Sequence, residues 1–320
     1  MLGRRRVAVL GGRGWLGREI VGVAVARGAE VTVVSRSDPD GPGVVAVDLT
    51  NARALGQALR AHEIDVVINA AGRRLGPPAL VHAANAALPD RLGALAAQAG
   101  WGLVHIGSAA EYGRAAGGPV PIAEDRRCEP VTTYARSKLA GTEAVALWRS
   151  RGAEALVARV FNVVGPDLPP DNPIHGLARQ ARALVPAGEG EIAVGDPTTT
   201  RDISTRRWVA EAVVGLALGD PHDAAGAVAS LDPPVVNVCS GRPTSFGDMT
   251  WALARALDVK VRVRDLGWPR GGEIVGDPTL LRSVVDVPDP PSIDELARSA
   301  LGLEAWPEPT PTQCTNGDSR

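Results

Sequence analysis

Aromatic side chains and methionine are scarce in this 320-residue chain, with two Tyr, two Phe, two Met and aromatics at 3%. Lysine is equally rare: only Lys138 and Lys260 occur among the 34 basic residues, and the rest are Arg. That imbalance reads as a codon bias toward G+C, a background property that makes every Tyr and Lys easy to place. Excess positive charge is also missing. A net charge of −2 excludes the phosphate-neutralising surface of a nucleic-acid binder. The three cysteines, Cys128, Cys239 and Cys314, are odd in number and far apart. They fit neither a disulfide framework nor a zinc site, so free thiols in a reducing cytoplasm and no bound metal are expected. No apolar run approaches the ~18 residues of a membrane span. The basic start runs into residues 7–10 and breaks at Gly11-Gly12, too early for a secretory signal.

What is present is ordinary globular composition, 45% hydrophobic and 22% charged. Short apolar runs at 7–10, 31–34, 44–47, 66–68, 103–106 and 155–160 read as strands. Helical patterns at 15–27, 52–61, 79–99 and 132–151 fall between most of them. Strands apolar on both faces, alternating with helices, predict an α/β fold: a Rossmann-like, doubly wound parallel sheet. After Phe161 the rhythm breaks. Helical pieces at 174–185, 206–218 and 245–257 and strands near 191–194, 235–238 and 260–263 predict a smaller, irregular C-terminal substrate lobe. The expected division is a dinucleotide domain at 1–165, a lobe at 166–305 and a disordered tail at 306–320, with residues near 191–245 returning to the first domain.

The first strand enters Gly11-Gly12-Arg13-Gly14-Trp15-Leu16-Gly17. A helix starting there aims backbone N–H groups and its dipole at an anion, and glycine permits the close approach of a pyrophosphate. Between the first strand and first helix of an alternating array, this predicts dinucleotide binding. Strand two ends in Ser35-Arg36-Ser37 rather than in the acidic residue that would bond an NAD ribose. With Arg13, these hydroxyls and guanidiniums suit a 2′-phosphate, so NADP(H) is favoured and NAD(H) remains possible. Asp48-Leu49 either holds the adenine or, through Asp48, caps the next helix.

Tyr134 and Lys138 stand four apart in a helical stretch and so share one face. A neighbouring ammonium favours phenolate, which predicts a lowered Tyr134 pKa and a phenol able to exchange a proton with a carbinol or carbonyl oxygen. Ser108 closes strand five, over the crevice where doubly wound sheets bind ligands.

Taken together, Gly11/Gly14/Gly17, Asn69 to Gly72, Asn85, Ser108 with Glu111-Tyr112-Gly113, Tyr134 with Lys138, and Arg159 to Pro166 resemble the extended short-chain dehydrogenase/reductases, the NAD(P)-dependent epimerase/dehydratase family acting on nucleotide sugars. The resemblance spans about residues 5–300. It implies a Ser108–Tyr134–Lys138 catalytic set, and a cofactor also touching Trp15, Leu16, Ala70, Ala71, Gly72, Asn85, Phe161 and Val163. It implies that Ala109, Ala110, Asn162, Arg201 and Asn237 line the nucleotide-sugar side. Trp208 replaces the family's usual Asp, and Arg206 and Arg207 beside it are either phosphate ligands or a solvated helix face. The helices at 79–99 and 132–151 resemble a homodimer contact, to which Gly93, Ala94 and Ala97 would allow close approach; they serve equally to cover a sheet.

Ala109-Ala110 follow Ser108 where sugar dehydratases carry an acid/base pair, which argues against dehydration. The stretches at 174–180 and 275–282 resemble 4-keto-6-deoxyhexose reductases. The expected reaction is therefore reduction of a 4-keto group on a nucleotide-linked hexose. A nucleotide-sugar 4-epimerase is the alternative within the family, and an NADP-binding regulator without catalysis is the alternative outside it.

Overall fold

The computed structural model describes residues 5–36, 43–113, 121–219, 231–269 and 271–303. Ser37, Cys314 and the expected tail at 306–320 lie outside them. The main sheet is built from β1 (Arg6–Leu10), β2 (Glu30–Ser35), β3 (Val44–Ala46), β4 (Val66–Asn69), β5 (Gly102–Ser108), β6 (Ala155–Val160) and β10 (Val235–Val238). Its order is β10-β6-β5-β4-β1-β2-β3, and every pairing is parallel. β4 and β6 are buried along their whole length, as their unbroken apolar runs predict for strands covered on both faces.

Helices cover each face. On one side α1 (Trp15–Ala26) and α7 (Arg206–Leu218) pack together, joined by α9 (Thr279–Val284). Ile20, Val23, Val209, Val213 and Leu281 lie in that core. On the other side α2 (Ala52–Ala61), α4 (Leu88–Ala99) and α5 (Thr133–Ser150) bury Leu55, Leu59, Leu92 and Val145. Full burial of such a side chain contributes about 1.5–3 kcal/mol. The helix expected over 79–99 is α3 (Pro78–His82), a π-turn (Ala83–Ala87) and α4. The wider turn carries Asn85, which is fully buried. Gly93 of α4 is occupied within the chain, because a Cβ there would meet the Trp148 ring 2.6 Å away.

The C-terminal lobe holds α6 (Pro173–Ala183), α8 (Phe246–Ala256) and α10 (Ile293–Ala300) around Leu177, Ile192, Met249 and Leu296. Two small sheets frame it. β8 (Glu189–Val194) pairs with β12 (Lys260–Asp265), and β9 (Thr200–Thr205) lies between β7 (Asn162–Val164) and β11 (Pro243–Ser245). Residues 166–305 therefore do not form a continuous unit, because α7, β10 and α9 return to the main sheet. Trp208 is part of the core of that sheet and donates from Nε1 to the Pro288 carbonyl at 2.9 Å. Among the described residues, no helix is long and apolar enough to cross a membrane.

Candidate active site

Strand order reverses between β1 and β4, opening a crevice at the carboxyl ends of the strands. Into it the glycine turn brings the start of α1, whose N-cap Gly14 offers no side-chain cap and whose first turn has no acidic residue. The first N–H groups of α1 thus have no partner from a capping side chain and suit an anion. Gly11 sits at φ +74, and a Cβ there would stand 2.8 Å from the Ala71 backbone. A Cβ on Gly17 would overlap the Gly11 carbonyl oxygen. Gly17 therefore packs the turn against its helix and is not part of the cavity wall.

A cavity of about 470 Å³ adjoins this turn, lined by Gly11, Arg13 and Gly14, by Ser35 and Arg36, by Leu49 and Thr50, and by Ala70 to Arg73. Arg91 from α4 completes the wall and donates to the Leu49 carbonyl at 2.9 Å. No acidic residue lines it among the described residues. Asp48 is not in the wall. Its carboxylate accepts from the Thr50 N–H and hydroxyl at 2.8 and 2.7 Å, bonds that hold its pKa below the usual range. Asn51, not Asp48, caps α2.

A second cavity, of about 890 Å³, holds Ser108, Tyr134 and Lys138 together with Trp15, Leu16, Ala109, Ala110, Phe161, Asn162 and Val163. Ser108 ends β5 and caps a single 3₁₀ turn, its N–H donating to Glu111 Oε1 at 2.7 Å. Tyr134 opens onto the cavity from the first turn of α5, beside Ser108 in the same wall. One turn later Lys138 is buried, its ammonium donating to the Ile106 carbonyl at 2.8 Å. Burial pulls the Lys138 pKa down to about 8, opposed by Glu111. Tyr134 departs from expectation. Enclosure raises its pKa above the ordinary phenol value, outweighing Ser108 and Arg74, which lower it. The phenol is protonated at neutral pH and is poised as an acid.

Several expected contacts lie elsewhere. Asn85 is behind the wall: it accepts from the Arg73 N–H at 2.8 Å and donates to the Arg73 carbonyl and Ser137 at 2.7 and 2.9 Å. It therefore braces the loop after β4 against α5. Asn237 is fully buried, receives the Tyr112 hydroxyl at 2.7 Å and donates to the Ile122 carbonyl at 2.9 Å, so it does not face the cavity. Arg201 donates to its neighbour Thr200 and to Gly272 at 2.7 and 2.6 Å and lies over the Phe246 ring, outside the wall. Arg206 is not a phosphate ligand here. It pairs with Glu19 of α1 at 3.0 Å in a buried contact, and Arg207 pairs with Glu19 and Glu211.

Three residues in the surroundings carry more than spacing could reveal. Glu111 is fully buried and binds Ser108, Thr142 and Arg159, the last as an ion pair of 3.0 Å. Asp202 gathers the N–H groups of Ser240, Gly241 and Gly276 and the Ser240 hydroxyl, tying three segments beneath Asn162, whose amide donates to the Asp202 carbonyl at 3.0 Å. Arg74 stands over Tyr134 at the cavity mouth. Among the described residues, no group of three or more His, Cys, Asp or Glu is arranged to hold a metal.

The chain is similar to known proteins. Over 280 residues the chain is 34% identical to the dTDP-6-deoxy-L-talose 4-dehydrogenase (NAD(P)(+)) of Kitasatospora kifunensis, covering 83% of each. It is 28% identical to the dTDP-4-dehydrorhamnose reductase of Streptomyces griseus over 214 residues, 63% of this chain and 64% of that protein. In fold it is similar to RMD from Pseudomonas aeruginosa, solved with NADPH, with a TM-score of 0.77, 24% identity and coverage of 93% and 96% of the two chains. Residues 7–223 match the NAD dependent epimerase/dehydratase family, and the chain belongs to that family.

Proposed function

We propose that the chain is an NAD(P)H-dependent reductase of the 4-keto group on a nucleotide-linked 6-deoxyhexose. The observation that carries this reading is a protonated phenol that shares a cavity with Ser108, the single lining carboxylate among the described residues being Asp171, itself paired with Arg74. An acid without a neighbouring base suits ketone reduction. It does not suit loss of water, which needs both. Support also comes from the 34%-identical relative, which is named for oxidoreduction at position 4 of a dTDP-6-deoxysugar.

The residues fit the cofactor. The uncapped start of α1 would take the pyrophosphate, and Arg13, Ser35, Arg36 and Arg91 around the smaller cavity favour a 2′-phosphate, hence NADP(H). The chemistry a bound NADPH supplies is donation of a hydride to the ketone carbon. Tyr134 gives its proton to the ketone oxygen as that oxygen gains charge. Ser108 orients the same oxygen. Lys138, cationic below about pH 8, stabilises the phenolate left on Tyr134 until solvent reprotonates it. The products are the alcohol and the oxidised cofactor. Grip on the remote nucleotide diphosphate positions the ketone.

The test is NADPH consumption with a panel of dTDP-, GDP- and UDP-4-keto-6-deoxyhexoses. Stoichiometric oxidation is expected. Tyr134→Phe should lose turnover by at least ~100-fold, the scale of general acid catalysis, while binding NADPH normally. A fully active Tyr134→Phe would overturn the assignment. Interconversion of two NDP-hexoses without net cofactor use would replace it with epimerisation. NADPH binding without turnover of any sugar would replace it with a regulatory role.

A further inference from the structure

Arg74 lies in the loop after β4, on the cofactor side of the cleft. Asp171 lies in the loop before α6, on the lobe side. They meet across the cavity mouth as an ion pair, Arg74 Nε standing 3.1 Å from Asp171 Oδ2. Arg74 is also a lid on the reacting group, its guanidinium carbon standing 5.7 Å from the centre of the Tyr134 ring. Both residues line the same cavity as Ser108 and Lys138.

We propose that Arg74, pinned by Asp171, is a positioning residue for Tyr134: it seats the ring against Ser108 and sets the acidity of the phenol. This rests on Tyr134 as the acid of the reaction proposed above.

The physical case has two parts. A guanidinium stacks on an aromatic face and is attracted to it, so Arg74 restricts the ring. The charge also favours phenolate. Three charged groups act on this phenol: Glu111 from the 3₁₀ turn after β5, Arg74 from the β4 loop and Asp171 from the loop before α6. Lys138, on the same helix as Tyr134, lines the same cavity with its ammonium on the Ile106 carbonyl. Arg74 lowers the Tyr134 pKa, whereas Glu111 and Asp171 raise it. The Arg74 side chain is 52% exposed and that of Asp171 is 27% exposed. An ion pair this open contributes little to stability, so an effect on Tyr134 is separable from one on folding.

The scarcity of tyrosine makes the experiment clean. Tyrosine labelled at its phenolic carbon gives two NMR signals in this protein, assigned by Tyr112→Phe, and each reports its own ionisation. Tyr112 serves as the internal control, since burial pushes it up to about 12. In Arg74→Met the Tyr134 midpoint should rise, because the charge that favours phenolate is removed. Asp171→Asn should lower it, and Arg74→Lys should restore part of the wild-type position. The Tyr112 signal should not move. As a second measurement, the alkaline limb of the kcat profile that lies above the Lys138 limb near pH 8 should shift in the same direction as the Tyr134 midpoint in each variant. A purely structural ion pair would change KM or the melting temperature with the Tyr134 midpoint and the kcat profile unmoved, and that result would overturn the proposal. If wild-type protein reduces no 4-keto sugar, the reaction assignment fails on its own, and the titration still decides the role of Arg74.

Discussion

The buried Lys138 links activity and stability with opposite signs. Its ammonium has one carbonyl partner, Ile106, and a pKa pulled down to about 8 by burial. Below that value the cation is present to stabilise the Tyr134 phenolate. Above it the stabilisation is lost, so the rate of ketone reduction should fall as pH rises through about 8. A rate profile across the neutral to alkaline range checks this, and the limb should be absent in Lys138→Arg, whatever that variant's absolute rate. Stability runs the other way. A folded pKa below the unfolded value of 10.5 means that the unfolded chain binds more protons between about 8 and 10.5. Lys138 therefore destabilises the fold fully below about 8, and the penalty is relieved as pH rises through that window. The residue scale also shows where sequence reading reached. The four-residue spacing brought Tyr134 and Lys138 to one cavity with Ser108. It did not convey that enclosure would outweigh charge and leave the phenol protonated. Nor could it convey that Asn237 faces Tyr112, because the two are brought together by β10, more than a hundred positions away in sequence.

At the scale of the element, the β1–α1 turn is set by contacts between its own backbone atoms. Since a Cβ on Gly17 overlaps the Gly11 carbonyl oxygen, Gly17→Ala must push α1 away from the turn. Overpacking of this kind costs about 1–3 kcal/mol. If it falls on the anion site, NADPH affinity should drop by about tenfold or more, measurable by calorimetric titration. The strands of the main sheet were legible because each is an apolar run bounded by glycine or polar residues, whereas α9, which also packs on that sheet, was not assigned. Nor were β9 and β11. Their residues, Thr200–Thr205 and Pro243–Ser245, are mostly polar, and β9 is buried because the Asp202 carboxylate satisfies N–H groups from neighbouring segments. α10 did carry a usable signal. Ser292 and Glu295 form a capping box at its start, a pattern visible in sequence that marks a helix in a stretch otherwise unassigned.

For the molecule as a whole, a buried ion pair joins α1, at the cofactor turn, to α7, which follows β9 in the lobe. Glu19 and Arg206 are 3.0 Å apart with side chains 4% and 7% exposed, and Arg206 also stacks over Trp15, whose indole donates to the Pro166 carbonyl at 2.6 Å. Removing one partner strands the other charge. Glu19→Ala should therefore destabilise the fold by roughly 3–5 kcal/mol, seen as a lower urea midpoint. Replacing both with apolar residues should recover much of the loss. Arg206 and Arg207, which looked like phosphate ligands, tie α7 to α1 on one face of the main sheet, and in an Arg-rich chain sequence position does not separate those duties.

The return of β10 to the sheet, next to β6, has a consequence for synthesis. During translation β1 to β6 emerge first, and β6 is left as an open edge until some eighty further residues have been made. An unpaired apolar edge is a template for pairing with other chains. The nascent protein therefore passes through an aggregation-prone interval that ends only when Val235–Val238 docks. A fragment stopped near residue 165, however natural that boundary looks in sequence, would keep the edge open permanently.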